Sequence, residues 1–155
     1  MARLLADTNL LLRLSDSGAA LHPTAAHALA ALFAREDEVF ITAQNLVEFW
    51  AVATRPRESN GFGWDTQMTQ REIADIRARF PLLPDTPEIL DFWLRIVTSS
   101  SVSGKRTHDA RLAAVMQVHS ISNLLTFNTA DFAGFPGITA VDPRTLARGA
   151  ERAQE

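Results

Sequence analysis

The chain lacks several features that would assign it to a particular class of protein. None of its 155 residues is cysteine, which excludes disulfide bonds, thiolate zinc sites and cysteine nucleophiles. No apolar run approaches the roughly 20 residues needed to span a bilayer, and the N-terminus lacks the pattern of a signal peptide. We therefore expect a cytoplasmic protein that has no membrane partner.

An excess of positive charge is also missing, because the formal net charge is −3. Proteins that bind nucleic acid mainly through phosphate contacts are usually basic. The negative net charge does not exclude such a function, because acids at a metal site lower the net charge while basic residues can still cluster elsewhere. Lys105 and Arg106 form one small basic cluster.

Short apolar segments alternate along the chain with stretches of helical periodicity. The alternation predicts an α/β fold in which helices cover both faces of a parallel sheet. We expect one domain over residues 1–145, followed by a charged and frayed tail over 146–155. Strands are predicted at residues 4–6, 39–41, 80–83, 121–127 and 138–141. Thr42, Asp65 or Thr66, and Thr107 are the expected helix N-caps.

Acidic and amide side chains follow several of these strands. Asp7 comes directly after the first strand, and Asn128 and Asp131 follow the strand that ends at Phe127. Glu48 lies on the helix after the second strand, and Asp109 lies in the first turn of its helix. Ligands of such sheets bind beyond the carboxyl ends of the strands, so these groups are expected to meet there.

Asp7 alone has two interpretations. It is either the cap of a polar turn completed by Thr8 and Asn9, or a carboxylate that a cation neutralises. Acids held close together raise one another's pKa and cost stability unless a cation is present. A site that offers only oxygen ligands suits Mg²⁺ or Mn²⁺. The grouping of acids therefore favours the second interpretation.

Four segments together resemble the motifs of PIN-domain ribonucleases, and in particular the VapC-type toxins of bacterial toxin–antitoxin pairs. The segments are Asp7-Thr8-Asn9, Asn45-Leu46-Val47-Glu48, Thr107-His108-Asp109-Ala110 and Thr126-Phe127-Asn128-Thr129-Ala130-Asp131-Phe132. The resemblance implies a three-layer α/β/α sandwich with a central, mostly parallel sheet of four or five strands. It also implies cleavage of RNA with Mg²⁺ or Mn²⁺, a small antitoxin partner and a homodimer.

The resemblance assigns roles to residues of this chain. Asp7, Glu48 and Asp109 match the three core acids, which would be catalytic and hold the metal. Asn128 stands where the family usually has an Asp, and Asp131 follows three residues later, so either side chain would complete the fourth position. Thr8, Asn9 and Thr126 would support the acids. The cations expected to contact the RNA backbone are Arg13, Lys105 and Arg106.

Two other functions fit parts of the pattern. The neutral Asn128 favours a PIN-like binding protein with weak or no catalysis, which would use the helix predicted over residues 65–80 to dock an antitoxin or a second copy of itself. A magnesium phosphatase of the haloacid-dehalogenase type needs a second Asp two residues after the first. Position 9 is Asn, which argues against the phosphatase.

Overall fold

The computed structural model describes residues 1–152, which form strands and helices in near alternation. The strands are β1 (Arg3–Ala6), β2 (Glu38–Thr42), β3 (Leu82–Leu83), β4 (Asn123–Leu125) and β5 (Thr139–Val141). The α-helices are α1 (Thr8–Ser15), α2 (His22–Ala34), α3 (Ala43–Thr54), α4 (Thr66–Arg79), α5 (Glu88–Ser99), α6 (Arg106–Val118) and α7 (Pro143–Arg152). Two short 3-10 helices cover Arg57–Ser59 and Thr129–Phe132.

The sheet has five strands in the order β3-β2-β1-β4-β5, and every neighbouring pair is parallel. This confirms the predicted α/β/α sandwich around a parallel sheet of four or five strands. Because all the strands run in one direction, their carboxyl ends share one edge. Ala6 pairs with Leu125. Asp7 and Thr126, which directly follow these two strands, therefore lie side by side at the centre of that edge.

Each face of the sheet carries its own hydrophobic core, because successive strand residues point to opposite faces. Leu4 and Ala6 of β1 join the core that packs against α1, α2, α3 and α4. Leu5 joins the second core, beneath α5 and α6. The helices are thereby fixed on both sides of the strand that precedes Asp7.

Two helix starts follow the sequence prediction and one does not. The Thr42 hydroxyl accepts from the Asn45 backbone N–H, and Asn45 Oδ1 accepts from the Thr42 backbone N–H, which closes a capping box at the start of α3. Asp65 caps α4 through the Met68 N–H. The prediction that Thr107 caps α6 is wrong: Lys105 is the cap residue, and the Thr107 hydroxyl donates to the Gly104 carbonyl.

The segment after Asp7 is a helix, where the sequence suggested a polar turn. Asp7 is the N-cap of α1, and Thr8 and Asn9 form its first turn. Leu10 and Leu11 are fully buried, so packing of apolar side chains stabilises a helix that begins with polar residues.

The C-terminal segment also differs from the prediction. Residues 146–152 continue α7 instead of forming a frayed tail, and Ala147 is buried. Leu146 packs against the core of α1 to α4, which gives this helix an apolar contact that a charged tail would lack. The last three residues of the expected tail, 153–155, lie outside the described residues. Over residues 1–152, no helix has the length and apolar character needed to cross a membrane.

Candidate active site

Asp7 lies between the central strand and the first helix, with its side chain 8% exposed. Its Oδ1 accepts a hydrogen bond from the Thr8 backbone N–H at 2.7 Å, and its Oδ2 accepts one from the Thr126 hydroxyl at 2.8 Å. The carboxylate is therefore both a helix cap and the first acid at the carboxyl edge of the sheet, so the two interpretations of Asp7 are compatible.

Thr126 ties together the ends of β1 and β4. Its hydroxyl accepts from Asn9 Nδ2 at 3.1 Å and from the Asn128 backbone N–H at 3.0 Å. Both of its lone pairs are then used, so its only proton is committed to Asp7. The Asn9 Oδ1 accepts from the Phe127 N–H at 3.3 Å, which braces the two strand ends further.

Glu48 reaches the same edge from α3. Its Oε2 accepts from the Thr8 hydroxyl at 2.6 Å, and its Oε1 accepts from Gln44 Nε2 at 2.8 Å. Thr8 is held in turn by Asn45 Nδ2, which donates to its hydroxyl at 3.1 Å. Glu48 therefore has a fixed position beside the start of α1.

Asp109 lies in the first turn of α6 and is partly buried. Burial, with the charges of Asp131 and Glu48, raises its pKa from 3.8 to about 6, although Arg106 and His108 act in the opposite direction. The carboxylate of Asp131 therefore lies near enough to Asp109 to repel it.

The pKa of Asp7 is raised for a similar reason. Burial raises it from 3.8 to about 6, the hydrogen bonds from Thr126 and the Thr8 backbone oppose the rise, and the charges of Glu48 and Asp109 add to it. Within residues 1–152 no salt bridge reaches Asp7. The acids from β1, α3, α6 and the turn after β4 thus repel one another across one edge of the sheet.

The predicted fourth position is divided between two residues. Asp131 lies in the 3-10 helix after β4 and acts on Asp109 through its charge. Asn128 is tied to Thr126 through its backbone N–H, and its side chain is exposed. Of the two residues, Asp131 is the one whose charge acts on another acid of the site. Asn128 forms the start of the turn that carries Asp131.

The three predicted cations differ in their distance from the acids. Arg106 lies close to Asp109, donates to the Asp131 carbonyl at 3.5 Å and stacks over the Phe135 ring at 5.2 Å. Lys105 is exposed at the adjacent cap position of α6. Arg13 lies in the last turn of α1, and the structure does not bring it to the acids.

The acids are not arranged as a complete metal-binding site. Among the residues that the structure describes, no three His, Asp or Glu side chains are arranged to hold one ion. The oxygens of Asp7 and Glu48 already accept hydrogen bonds. An ion at this edge would need side-chain adjustment or bridging water, as is common for Mg²⁺.

Sequence reasoning assigned no role to three side chains of this edge, Gln44, Asn45 and Arg111. Asn45 holds Thr8, and Arg111 donates to Gln44 Oε1 at 3.1 Å. Gln44 itself precedes Glu48 by one helical turn, a spacing that brings side chains together. The capping-box spacing Thr42-x-x-Asn45 was a usable signal for Asn45, whereas Arg111 is 67 residues from its partner.

Comparisons with known structures agree with this architecture. The VapBC2 complex from Rickettsia felis, bound to a DNA fragment from its promoter, matches with a TM-score of 0.69 and 14% identity, covering 90% of this chain and 98% of the other. A toxin–antitoxin complex from Klebsiella pneumoniae matches with a TM-score of 0.61 and 26% identity, covering 90% and 97%. VapC20 of Mycobacterium tuberculosis, a Sarcin-Ricin loop cleaving toxin, matches with a TM-score of 0.55 and 22% identity, covering 87% and 98%.

Sequence comparison gives a consistent result. A search of curated proteins found no significant match. The family model of the PIN domain matches residues 4–137, which include all four acids and every strand of the sheet except β5. With this match, and with acids from β1, α3, α6 and the turn after β4 gathered at one edge of a parallel sheet, the chain belongs to the PIN-domain family.

Proposed function

We propose that this protein is a metal-dependent endoribonuclease that acts as the toxin of a toxin–antitoxin pair in the cytoplasm. The observation that carries the proposal is the gathering of four acids, Asp7, Glu48, Asp109 and Asp131, at the carboxyl edge of the sheet. Burial and neighbouring carboxylates raise the pKa of both Asp7 and Asp109 to about 6. Such perturbed acids, grouped at the ligand-binding edge of an α/β sheet, are typical of functional sites.

The residues present fit Mg²⁺ or Mn²⁺. Their donors are oxygens only, which hard cations prefer. A bound cation would offset the burial and the mutual repulsion that raise the pKa of Asp7 and Asp109. Asp7, Glu48, Asp109 and Asp131 would hold the ion, directly or through water, and Asn128 would add at most a neutral oxygen. When bound, such an ion activates water and offsets charge on a phosphoryl group.

The chain's own side chains would position the substrate and the acids. Arg106, beside Asp109 and the Asp131 backbone, is the cation best placed to contact an RNA phosphate. Exposed Lys105 would add a second phosphate contact next to it, and Arg13 would act only on RNA that extends along α1. Thr8, Asn9 and Thr126 hold Asp7 and Glu48 in place, so an ion bound through bridging water would meet acids that are already positioned.

The toxin role rests on the structural likeness to VapBC complexes and on an apolar groove between α3 and α4. The groove has a volume of about 370 Å³ and is lined by Leu46, Val47, Trp50 and Ile73. Val47 is 69% exposed, which is unusual for a large apolar side chain in a patch of this kind. We propose that this groove receives an apolar segment of the antitoxin.

A homodimer would use a different surface. Leu90 and Leu94 of α5 are 60% and 46% exposed, and Leu90 borders a further cavity of about 580 Å³ beside Trp93. Their placement one turn apart gives α5 an outward apolar stripe. We propose that this stripe is covered by α5 of a second copy.

RNA cleavage in the presence of Mn²⁺ or Mg²⁺ tests the proposed activity. We expect the wild-type protein to cut labelled RNA, and Asp7→Asn and Asp109→Asn to lower the rate by about 100-fold or more, beyond the loss typical of residues around a metal site. Gel analysis of the products over time gives the rates.

Asp37→Asn is the matched control. Asp37 is as buried as Asp7 but lies at the opposite edge of the sheet, just before β2. This variant should cut RNA at close to the wild-type rate. Absence of cleavage on structured and unstructured RNA with either metal would contradict the proposal and favour the alternative, a PIN-like protein that only binds its partner through the groove of α3 and α4.

A further inference from the structure

Gln44 joins two of the elements that carry acids. It lies in the first turn of α3, one helical turn before Glu48. Its Nε2 donates to Glu48 Oε1 at 2.8 Å and to the His108 carbonyl oxygen at 2.9 Å, and its Oε1 accepts from Arg111 Nη1 at 3.1 Å. Both amide protons and one acceptor position are therefore used.

The surroundings of Gln44 permit only one orientation of its amide. If the amide were turned over, Oε1 would face the carboxylate of Glu48 and the carbonyl of His108, and Nε2 would face the Arg111 guanidinium. Each contact would then pair acceptor with acceptor or donor with donor. The amide is thus fixed by its neighbours on both sides.

This bond network determines where Glu48 lies. One oxygen of its carboxylate is held by Gln44 and the other by Thr8, so the flexible side chain has lost its rotational freedom before any ligand binds. His108 directly precedes Asp109, so the same amide also sets the distance between α3 and the first turn of α6.

Arg111 holds Gln44 from the other side. Its Nη1 donates to Gln44 Oε1, and its Nη2 lies 3.5 Å from Asp85 Oδ1. Without Arg111, Gln44 would keep its two donor bonds but lose the group that opposes rotation of its amide. A series of side-chain contacts therefore runs from Asp85 through Arg111 and Gln44 to Glu48.

We propose that Gln44 is a positioning residue for the acidic site, oriented by Arg111, and that it sets Glu48 against Asp109 for metal binding. The inference rests on the proposed nuclease function and adds a residue to it. Gln44 acts through Glu48 and takes no part in the reaction itself. Residues that orient metal-binding side chains in this way change affinity or activity by about 10–100-fold when replaced.

Gln44→Met tests the inference, because methionine keeps the length and helix propensity of glutamine but has no amide. We expect the dissociation constant for Mn²⁺, measured by calorimetry, to rise by about tenfold or more, and kcat for RNA cleavage to fall by about 10–100-fold. The stoichiometry of Mn²⁺ binding should stay the same. A variant that was only less well folded would show the opposite pattern, with lower stoichiometry and an unchanged dissociation constant.

Gln117→Met is the matched control on α6. The Gln117 amide also ties a helix to a backbone carbonyl, that of Pro136 at 2.9 Å, but away from the acids. It should bind Mn²⁺ and cut RNA as the wild type does. Arg111→Met should show a smaller loss than Gln44→Met, and Arg111→Lys, which keeps one donor, should recover part of it.

The double variant Gln44→Met/Arg111→Met tests whether the two residues act in one chain. If Arg111 acts through Gln44, the double variant loses no more than Gln44→Met alone. If Gln44→Met does not fold, the comparison of Arg111→Met with Arg111→Lys carries the test. The inference would be overturned if the wild type were fully active and Gln44→Met bound Mn²⁺ and cut RNA as well as Gln117→Met does. A wild-type protein that neither binds Mn²⁺ nor cuts RNA would overturn the proposed function, and the inference with it, before any variant is made.

Discussion

Asp7 and Asp37 are equally buried, each 8% exposed, but their surroundings are opposite. Asp37 precedes β2 at the amino edge of the sheet. It accepts from the Ala2 backbone N–H at 2.7 Å and pairs with the Arg35 guanidinium at 2.9 Å, and these partners lower its pKa. At the carboxyl edge, burial raises the pKa of Asp7 to about 6; its hydrogen bonds oppose the rise, and the charges of Glu48 and Asp109 add to it.

The comparison shows that burial alone does not mark a functional acid. A carboxylate taken out of water needs compensation, and Asp37 receives it from within the chain through the Ala2 backbone N–H and the Arg35 guanidinium. Asp7 is compensated only in part, by a hydroxyl and a backbone N–H. What distinguishes the candidate site is thus a missing positive charge, which a divalent cation would supply.

The largest expected difference between Asp7 and Asp37 is in how their substitution changes the stabilisation of the protein by Mn²⁺. At a Mn²⁺ concentration about 100-fold above its dissociation constant, we expect the wild type to gain about 3 kcal/mol in free energy of unfolding. Asp37→Asn should gain as much, and Asp7→Asn should gain little, because only Asp7 belongs to the proposed metal site. Thermal melts at pH 7.5 with and without Mn²⁺ measure the gain. Equal stabilisation of both variants would remove the distinction between the two acids.

Without metal, the two substitutions should change stability in opposite directions at pH 8. A rise of the pKa of Asp7 from 3.8 to about 6 corresponds to a cost of about 3 kcal/mol for the ionised group. Asp7→Asn should recover only about 1–2 kcal/mol of this cost. Recovery is incomplete because the new amide N–H would face the Thr126 hydroxyl, whose two acceptor positions are already used.

Asp37→Asn should instead destabilise the protein by about 1–2 kcal/mol, because it weakens charge-assisted bonds to Arg35 and the Ala2 backbone. Urea unfolding of the wild type and both variants gives the free energies. If both substitutions destabilised the protein equally, Asp7 would be an ordinary structural cap.

The smallest expected effect is on the pH dependence of stability. Asp7 has a folded pKa above its unfolded value of 3.8, so its contribution to stability is greatest below pH 3.8 and is lost as pH rises through about 6. The advantage of Asp7→Asn at pH 8 should shrink by about 1.4 kcal/mol at pH 5 and so nearly disappear. Asp37 has a lowered pKa, so its contribution is lost only below its unfolded value. The gap between Asp37→Asn and the wild type should therefore stay constant from pH 8 to pH 5 in urea unfolding.

The sequence predicted what depends on local pattern. Alternation of strands and helices gave the parallel sheet, and polar residues before apolar periodicity gave the caps Thr42 and Asp65. Helix α1 was missed because its first turn is polar, although Leu10 and Leu11 stabilise it through burial that no local pattern shows.

The site was predictable in its acids but not in their support. Position after strands grouped Asp7, Glu48, Asp109 and Asp131 at one edge. The bond from Gln44 to His108 joins residues 64 apart, and such a contact follows only from how α3 and α6 pack. The same applies to Arg111, which the sequence presents as one charged residue on a helix.

The central place of β1 has a consequence for synthesis of the protein. Leu5 of the first strand pairs with Phe40 on one side and with Leu124 on the other, so the middle of the sheet is completed only after β4 has been synthesised. The Thr126 hydroxyl that holds Asp7 lies 119 residues further along the chain. Structures that depend on such distant pairings form slowly. Thr126 must therefore leave the ribosome before Asp7 acquires its hydroxyl partner, and nascent chains that have not reached this residue cannot assemble the edge on which the proposed nuclease activity depends.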